Sequence, residues 1–296
     1  MILLKRRLPG NKGVTEVNLL PRTVEPIRRP IILPDENAFY RRDEALSTGM
    51  ATDPVVALIV GTGMSKLFDV RDPRKVSTQY GETYLGVCEV SGRDVLVVPR
   101  HGPEYSVPPH KVNYRAIMRS IKDTGARIVI ATNAVGSLNR RMRPGGFAVP
   151  DQILDFTRGR PQTFYEGDGE VVFTDVTNPY STNVRDTLCY AAKRLRVKIL
   201  RRGVYVCTEG PRFETAAEIR MFSILGGDIV GMTGAPEVFL AKELGIEYAT
   251  LCIVTNWAAG IAPKVSHGEV LDIMKKSGPV ARDVIKSAVE HIHEEV

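Results

Sequence analysis

The sequence predicts an α/β fold, and three observations carry that expectation. Short runs rich in Val and Ile recur from Val55 onward, segments with helical spacing fall between them, and glycine or small polar residues stand just after several of the runs. Runs that are apolar at every position are what a sheet covered on both faces requires. In chain order, Val55 to Val60 and Asp94 to Val98 read as buried strands, Tyr114 to Lys122 as a helix and Arg127 to Ala131 as a third strand. A helix over Val184 to Leu195, a strand over Val204 to Cys207 and a helix over Thr215 to Leu225 come next. Glu237 to Leu244 again carries helical spacing, Tyr248 to Val254 is another buried strand, and a last helix starts near His267. Thr215 to Glu218 and Ser266 to Glu269 both match the capping box, in which a hydroxyl and a Glu satisfy each other's orphan backbone donors. Pro236-Glu237 suits a first helical turn, so Met232-Thr233-Gly234-Ala235 is expected near a donor-rich helix start, where anions bind well.

Residues 1–53 differ from the rest: Lys5, Arg6, Arg7, Arg28, Arg29, Arg41 and Arg42 alternate with Pro9, Pro21, Pro26, Pro30 and Pro34, without a clean period. They are expected to form an extended basic arm, and residues 54–296, which contain no repeat or linker, a single domain. At 43% hydrophobic and 25% charged residues, the 296-residue chain has an ordinary globular composition. Its net charge of +6 could steer small anions toward a cleft, but the cations form no long arm suited to nucleic acid, and nucleic-acid binding is not expected. Cys88, Cys189, Cys207 and Cys252 are scattered through apolar segments, which argues against a zinc cage or a secreted disulfide framework and for a reducing cytoplasm. No apolar run approaches the ~18 residues a membrane span needs, and the N-terminus lacks a signal core. His291 and His293, two residues apart, do not share a helix face, and no metal site is expected. Glu166 with Asp168 lies in a glycine-rich turn and reads as hairpin residues rather than an acid and base pair.

Three strand-end loops carry the chemistry. Gly61-Thr62-Gly63 brings bare amides and a hydroxyl close to an oxyanion, although Lys66 stands where a dinucleotide motif needs its third glycine. Arg100-His101-Gly102 offers a guanidinium fork that can grip phosphate and an imidazole that can add a donor. Asn133-Ala134-Val135-Gly136-Ser137 places small residues where open α/β sheets form ligand crevices. Each alone is matched by a plain turn. Further on, Asn256 follows an apolar strand and lies downstream of Gly210-Pro211-Arg212-Phe213-Glu214. An amide that accepts from a ring N–H and donates to a carbonyl, beside a carboxylate that accepts from another ring N–H, fits the edge of hypoxanthine or guanine and clashes with adenine. Separately, Asn256 could close a turn and Glu214 could be a solvated helix-start acid. His110, after Pro108-Pro109, sits in a loop that could close over a site.

In this order, Gly-Thr-Gly, Arg-His-Gly, His-Lys-Val-Asn-Tyr, Thr-Asn-Ala-Val-Gly-Ser-Leu, Arg-Pro-Gln-Thr-Phe-Tyr, Glu-Gly-Pro-Arg-Phe-Glu-Thr, Gly-Met-Thr and Pro-Glu-Val resemble the purine nucleoside phosphorylase and methylthioadenosine phosphorylase family over about Val55 to Met274. His110 to Tyr114 and Arg160 to Tyr165 look like the methylthioadenosine branch; Phe213-Glu214 and Thr255-Asn256 look like the 6-oxopurine enzymes, because adenine-specific relatives have Asp in place of both Asn256 and Ala258. The resemblance implies an α/β/α sandwich around a mixed, partly barrel-like sheet. It implies phosphate held by Thr62, Arg100, His101, Asn133, Ala134 and Thr233, with Phe213 on the purine face and Met232 under the ribose. Glu214 and Asn256 would read the base, with Trp257 and Ala258 adjoining, and His267 would meet the ribose 5'-hydroxyl; Asn256, Glu214 and His101 would be the catalytic set. Phosphorolysis of inosine and guanosine in purine salvage follows, with phosphate as co-substrate and no metal or organic cofactor. Phosphorolysis of 5'-methylthioinosine or 5'-methylthioadenosine is the rival, and a nucleosidase using water or a noncatalytic nucleoside-binding protein are the other readings. Family members form homotrimers or homohexamers in which a neighbouring subunit closes the sugar site, and Phe173 is the residue chosen for that contribution.

Overall fold

The computed structural model describes residues 56–167, 169, 171–261 and 266–292. These all fall in one compact unit, residues 45–296. The arm over residues 1–53, Val55, Asp168 and His293 lie outside the described residues. The elements in order are β1 (Val56–Val60), β2 (Arg71–Thr78), β3 (Gly81–Val90), β4 (Arg93–Pro99), α1 (Tyr114–Asp123), β5 (Ile128–Ser137), β6 (Phe147–Ala148) and β7 (Gln152–Phe156). There follow α2 (Thr182–Arg194), β8 (Ile199–Leu200), β9 (Val204–Thr208), α3 (Ala216–Ile224), β10 (Ile229–Gly231), α4 (Glu237–Glu243), β11 (Glu247–Trp257) and α5 (His267–His291).

The predicted strands and helices are all present, and the fold is the α/β/α arrangement expected. Along β1, Val56, Leu58 and Val60 pack into one core with α2 and α5, while Ala57 and Ile59 pack into a second with α1 and α4. The period-2 alternation of a strand thus feeds two apolar layers, which is why the run is apolar throughout. Ile128 and Ile130 against Val129 and Ala131 repeat the division on β5. Helix starts follow the sequence signals. Asn113 caps α1 by accepting from Ala116 N, Ser181 caps α2 through Val184 N, and Thr215 and Glu218 form both halves of the expected capping box at α3; at α5 only the hydroxyl half of the expected box forms, with Ser266 accepting from Glu269 N.

The mixed sheet runs β2-β3-β4-β1-β5-β10-β9-β7 and branches at β5, which also pairs with β11 along its whole length. On its other edge, β5 pairs with β1 up to Ala131 and with β10 only from Gly136. Thr132 to Val135 therefore face a gap between two strand neighbours. The half in which β9, β10 and β11 gather around β5 holds its own core of Val135, Tyr205, Cys207, Cys252 and Val254, the partly barrel-like portion of the sheet.

The strands reach further than their apolar runs. β5 continues through Asn133-Ala134-Val135-Gly136-Ser137 and β11 through Thr255-Asn256-Trp257, so these are strand residues and not loops beyond a strand. Polar residues at a sheet branch hide the continuation. The β2–β3 hairpin also escapes sequence reading, because β2 is an exposed edge with a single buried residue, Val76. His291 is not a solvated tail residue: its ring packs on Tyr190, and its Nδ1 lies 2.7 Å from Ser287 O. All four cysteines are buried and free.

Candidate active site

The gap beside β5 opens into a cavity of about 530 Å³, within the range of small-molecule sites. Of the residues singled out in the sequence, Thr62, Arg100, His101, Asn133, Ala134, Phe213, Glu214, Met232, Thr233, Asn256, Ala258 and His267 all line it. A more open groove of about 640 Å³ runs past Ser181, Asn183, Tyr190, Glu247 and His291, and gathers none of them.

At one end stand Asn256 and Glu214. The β11–β5 register shifts between Val254 and Asn256, so Thr255 and Asn256 both turn to the cavity. Bulges beside functional sites re-aim side chains in this way. Gly136, opposite Asn256, leaves the room: a Cβ there would lie 3.1 Å from Asn256 Nδ2. Asn256 Nδ2 donates to Trp257 O at 2.9 Å, and Thr255 Oγ1 donates to Asn256 Oδ1 at 2.8 Å. One amide proton and one lone pair remain for a ligand. Glu214 Oε1 accepts from Thr208 Oγ1 at 2.6 Å, and burial pushes its carboxyl above the ordinary glutamate range. Phe213, 38% exposed, supplies an apolar face beside it.

Trp257 corrects the expectation. It lies on a separate groove with Arg140, Arg143, Pro144 and Ile261, because the strand pleat beyond the bulge turns it away from Asn256.

At the other end Arg100 is fully enclosed. Its Nε and Nη2 donate to Glu237 Oε2 and Oε1 at 2.7 and 2.8 Å, and Nη1 donates to Thr132 O at 2.7 Å. Tyr248 Oη donates to the same Glu237 at 2.6 Å. Burial pushes the guanidinium pKa down, but the Glu237 charge and hydrogen bonds outweigh it and the net shift is upward. The fork expected to grip phosphate is thus committed to Glu237, and only the remaining Nη1 and Nη2 protons can serve an anion. Gly61 permits the approach, since a Cβ there would sit 2.8 Å from Arg100 Nη1.

His101 departs from its expected donor role. Its Nδ1 lies 2.8 Å from Val107 O, which assigns the ring proton to Nδ1 and leaves Nε2 an acceptor. Burial, then the neighbouring Arg100 charge, holds its pKa down at about 4, so the ring is neutral at pH 7. Asn133 is a link in a chain, donating to Thr233 Oγ1 at 2.7 Å and accepting from Thr250 Oγ1 at 2.5 Å. Thr62 shares a hydrogen bond with Tyr105 Oη, and the Tyr105 ring lies 4.7 Å from that of His101. His267 and Val270, one turn apart on α5, both line the cavity. His110 stays outside the cavity, although Pro108 and Pro109 line it.

The sequence reading missed Tyr105, Glu237 and Tyr248. Tyr105 carries no local signal. Glu237 looked like a helix-start acid, and its complete burial, which demands a cationic partner, shows only in three dimensions. Among the described residues no cluster of His, Cys, Asp and Glu is arranged to hold a metal ion, and no helix is long and apolar enough to cross a membrane.

Comparison with known proteins agrees with this geometry. The chain is 46% identical over 242 residues to the 6-oxopurine nucleoside phosphorylase of Pyrococcus furiosus, covering 79% of this chain and 90% of that protein. It is 47% identical over 246 residues to a probable S-methyl-5'-thioinosine phosphorylase of Methanothermobacter thermautotrophicus, covering 81% and 85%. Among solved structures, methylthioadenosine phosphorylase from Schistosoma mansoni in complex with adenine superposes with a TM-score of 0.77 at 33% identity, covering 82% of this chain and 93% of that one. The family profile itself matches residues 34–290 and so spans the whole cavity, which makes this chain a member of the Phosphorylase superfamily.

Proposed function

We propose that the protein is a 6-oxopurine nucleoside phosphorylase, a pentosyltransferase that cleaves inosine and guanosine reversibly with inorganic phosphate in purine salvage. One observation carries the reading: an amide and a carboxylate, Asn256 and Glu214, share a single cavity with the hydroxyls of Thr62 and Thr233 and the Arg100–His101 pair. The 6-oxopurine relatives support it.

In the reaction a phosphate oxygen bonds to the anomeric carbon as the bond from that carbon to N9 breaks, and the electron pair leaves with the purine. Asn256 Oδ1 can accept from N7–H while its free amide proton meets O6, and Glu214 accepts from N1–H. Monohydrogen phosphate gives up its proton on becoming the ester of ribose 1-phosphate, and hypoxanthine takes up one, so protons balance. Neutral His101, with Nε2 unprotonated, is suited to accept from the P–OH. Because Arg100 is already neutralised by Glu237, anion binding falls largely to hydroxyls, amides and the residual guanidinium protons. Catalysis is then positioning and electrostatics, with no protein nucleophile and no role for a metal or organic cofactor.

A second reading, phosphorolysis of 5'-methylthio nucleosides, is favoured by apolar Val270 one turn beyond His267. For assembly we take a homotrimer or homohexamer, on the 92% exposure of Phe173, which suits it to close a neighbour's sugar site. The four buried thiols fit work in the cytoplasm. Hypoxanthine release from inosine, measured with and without phosphate, is expected to require phosphate and to yield ribose 1-phosphate; phosphate-independent release of ribose at the same rate would refute the reading. Competing inosine against 5'-methylthioinosine decides the second.

A further inference from the structure

Arg160 is buried, charged and absent from the cavity wall, yet it touches the back of three segments that form that wall. Its Nη1 lies 2.9 Å from Met232 O, 2.7 Å from Ala235 O and 3.1 Å from Tyr114 Oη. Nη2 donates to Glu209 O at 2.7 Å and approaches Thr208 O at 3.4 Å, and Nε lies 3.2 Å from the Glu209 carboxylate. The guanidinium also sits 5.3 Å from the centre of the Tyr114 ring, whose hydroxyl donates to Pro109 O. One planar cation thus holds the 208–209 strand end, which leads to Phe213 and Glu214, and the 232–235 turn, which carries Met232 and Thr233.

We infer that Arg160 is a positioning residue that couples the base end of the cavity to the phosphate end. The inference rests on the phosphorylase reading above. The two segments are already neighbours, since β9 pairs with β10 and Ala235 N donates to Cys207 Sγ, but beyond the paired residues four backbone carbonyls, two from each segment, converge on one guanidinium, and turning either segment requires breaking bonds to the same group. A ligand that orders the Glu214 segment therefore orders the Thr233 segment, and the second ligand meets a site already arranged. Lysine keeps the charge but is a point donor that cannot span both sets of carbonyls.

The test is calorimetric titration of the full-length wild type, R160M and R160K with hypoxanthine, each without and with saturating inorganic phosphate. Phosphate is expected to tighten hypoxanthine binding to the wild type by about tenfold, and by reciprocity hypoxanthine should tighten phosphate by the same factor. In R160M the factor falls to about one, and in R160K it falls below half the wild-type value. A residue that merely supports the fold would weaken both affinities and lower Tm while leaving the factor intact. A wild-type factor of one, or a factor retained in either folded variant, overturns the inference; if R160M does not fold, R160K decides alone. Wild-type turnover of inosine with phosphate is measured in parallel. Its absence would refute the phosphorylase reading, whereas turnover with coupling retained in the variants refutes only the role of Arg160.

Discussion

The two ends of the cavity are built on opposite plans. At the base end, Asn256 is oriented by its immediate neighbours Thr255 and Trp257, and Glu214 by Thr208, six residues away. At the phosphate end, Arg100 is held by Glu237 across 137 residues, Asn133 reaches Thr233 across 100, and the side chains of the Arg100–Glu237 pair are wholly enclosed. The difference teaches where specificity can be altered cheaply. Asn256, though buried, and the part-buried Glu214 hang on bonds to near neighbours in the chain, so they can change without unpairing a distant partner, whereas the Arg100 end is part of the core.

The largest effect expected from this contrast is a change of substrate in a protein that stays folded. The double variant Asn256→Asp, Glu214→Gln presents an acceptor to the 6-amino group of adenine and a donor to its N1. Its inosine-to-adenosine ratio of kcat/KM is expected to move by about 10³- to 10⁴-fold toward adenosine, the scale of discrimination set by an unpaired polar group. On the proposed reading the two positions meet adjacent purine edges, so the single variants need not add. Steady-state kinetics on all four proteins checks this. An unmoved ratio with Tm preserved would remove Asn256 and Glu214 from base recognition.

Next comes the opposite behaviour at the anion end. Arg100→Ala leaves Glu237 buried beside Tyr248 without its cation, and breaking one partner of such a pair costs about 3–5 kcal/mol. Urea unfolding should register that loss, and the phosphate KM should rise by about 10- to 100-fold from lost charge-assisted bonds. A folded variant with full stability would mean that the pair is not part of the core, and the contrast would collapse.

The smallest effect sharpens the comparison through pH. His101 keeps a pKa of about 4 in the fold against an ordinary value of 6.5, so between those values the unfolded chain binds the extra proton. The His101 contribution is therefore complete above pH 6.5 and is lost as pH falls toward 4, amounting to about 3 kcal/mol. Unfolding free energies at pH 7, 5.5 and 4 should show that decline, and His101→Asn should flatten it. A decline unchanged in His101→Asn would assign it to other groups.

The sequence by itself determined the buried strands β1, β4, β5, β9 and β11, the five helices and where most of them start, because an unbroken apolar run, a period of 3.6 and a hydroxyl three residues before a Glu are local facts; the exposed β2–β3 hairpin and the short strands β6, β7, β8 and β10 carry no such signal. It also determined which chemical groups the site contains, since Gly-Thr-Gly, Arg-His-Gly, Phe213-Glu214 and Asn256 are short motifs whose order is legible along the chain. What each group does was decided by tertiary structure. A one-residue register shift in β11 sends Asn256 into the cavity and Trp257 out of it. A carboxylate on α4 takes the guanidinium fork that Arg100 offers to anions in isolation. A carbonyl six residues on turns His101 from donor to acceptor. The physical reason is common to the three: a side chain's donors and acceptors are set by its type, but which remain free for a ligand depends on partners brought by register, turns and burial, whether six residues away, as Val107 is from His101, or 137, as Glu237 is from Arg100.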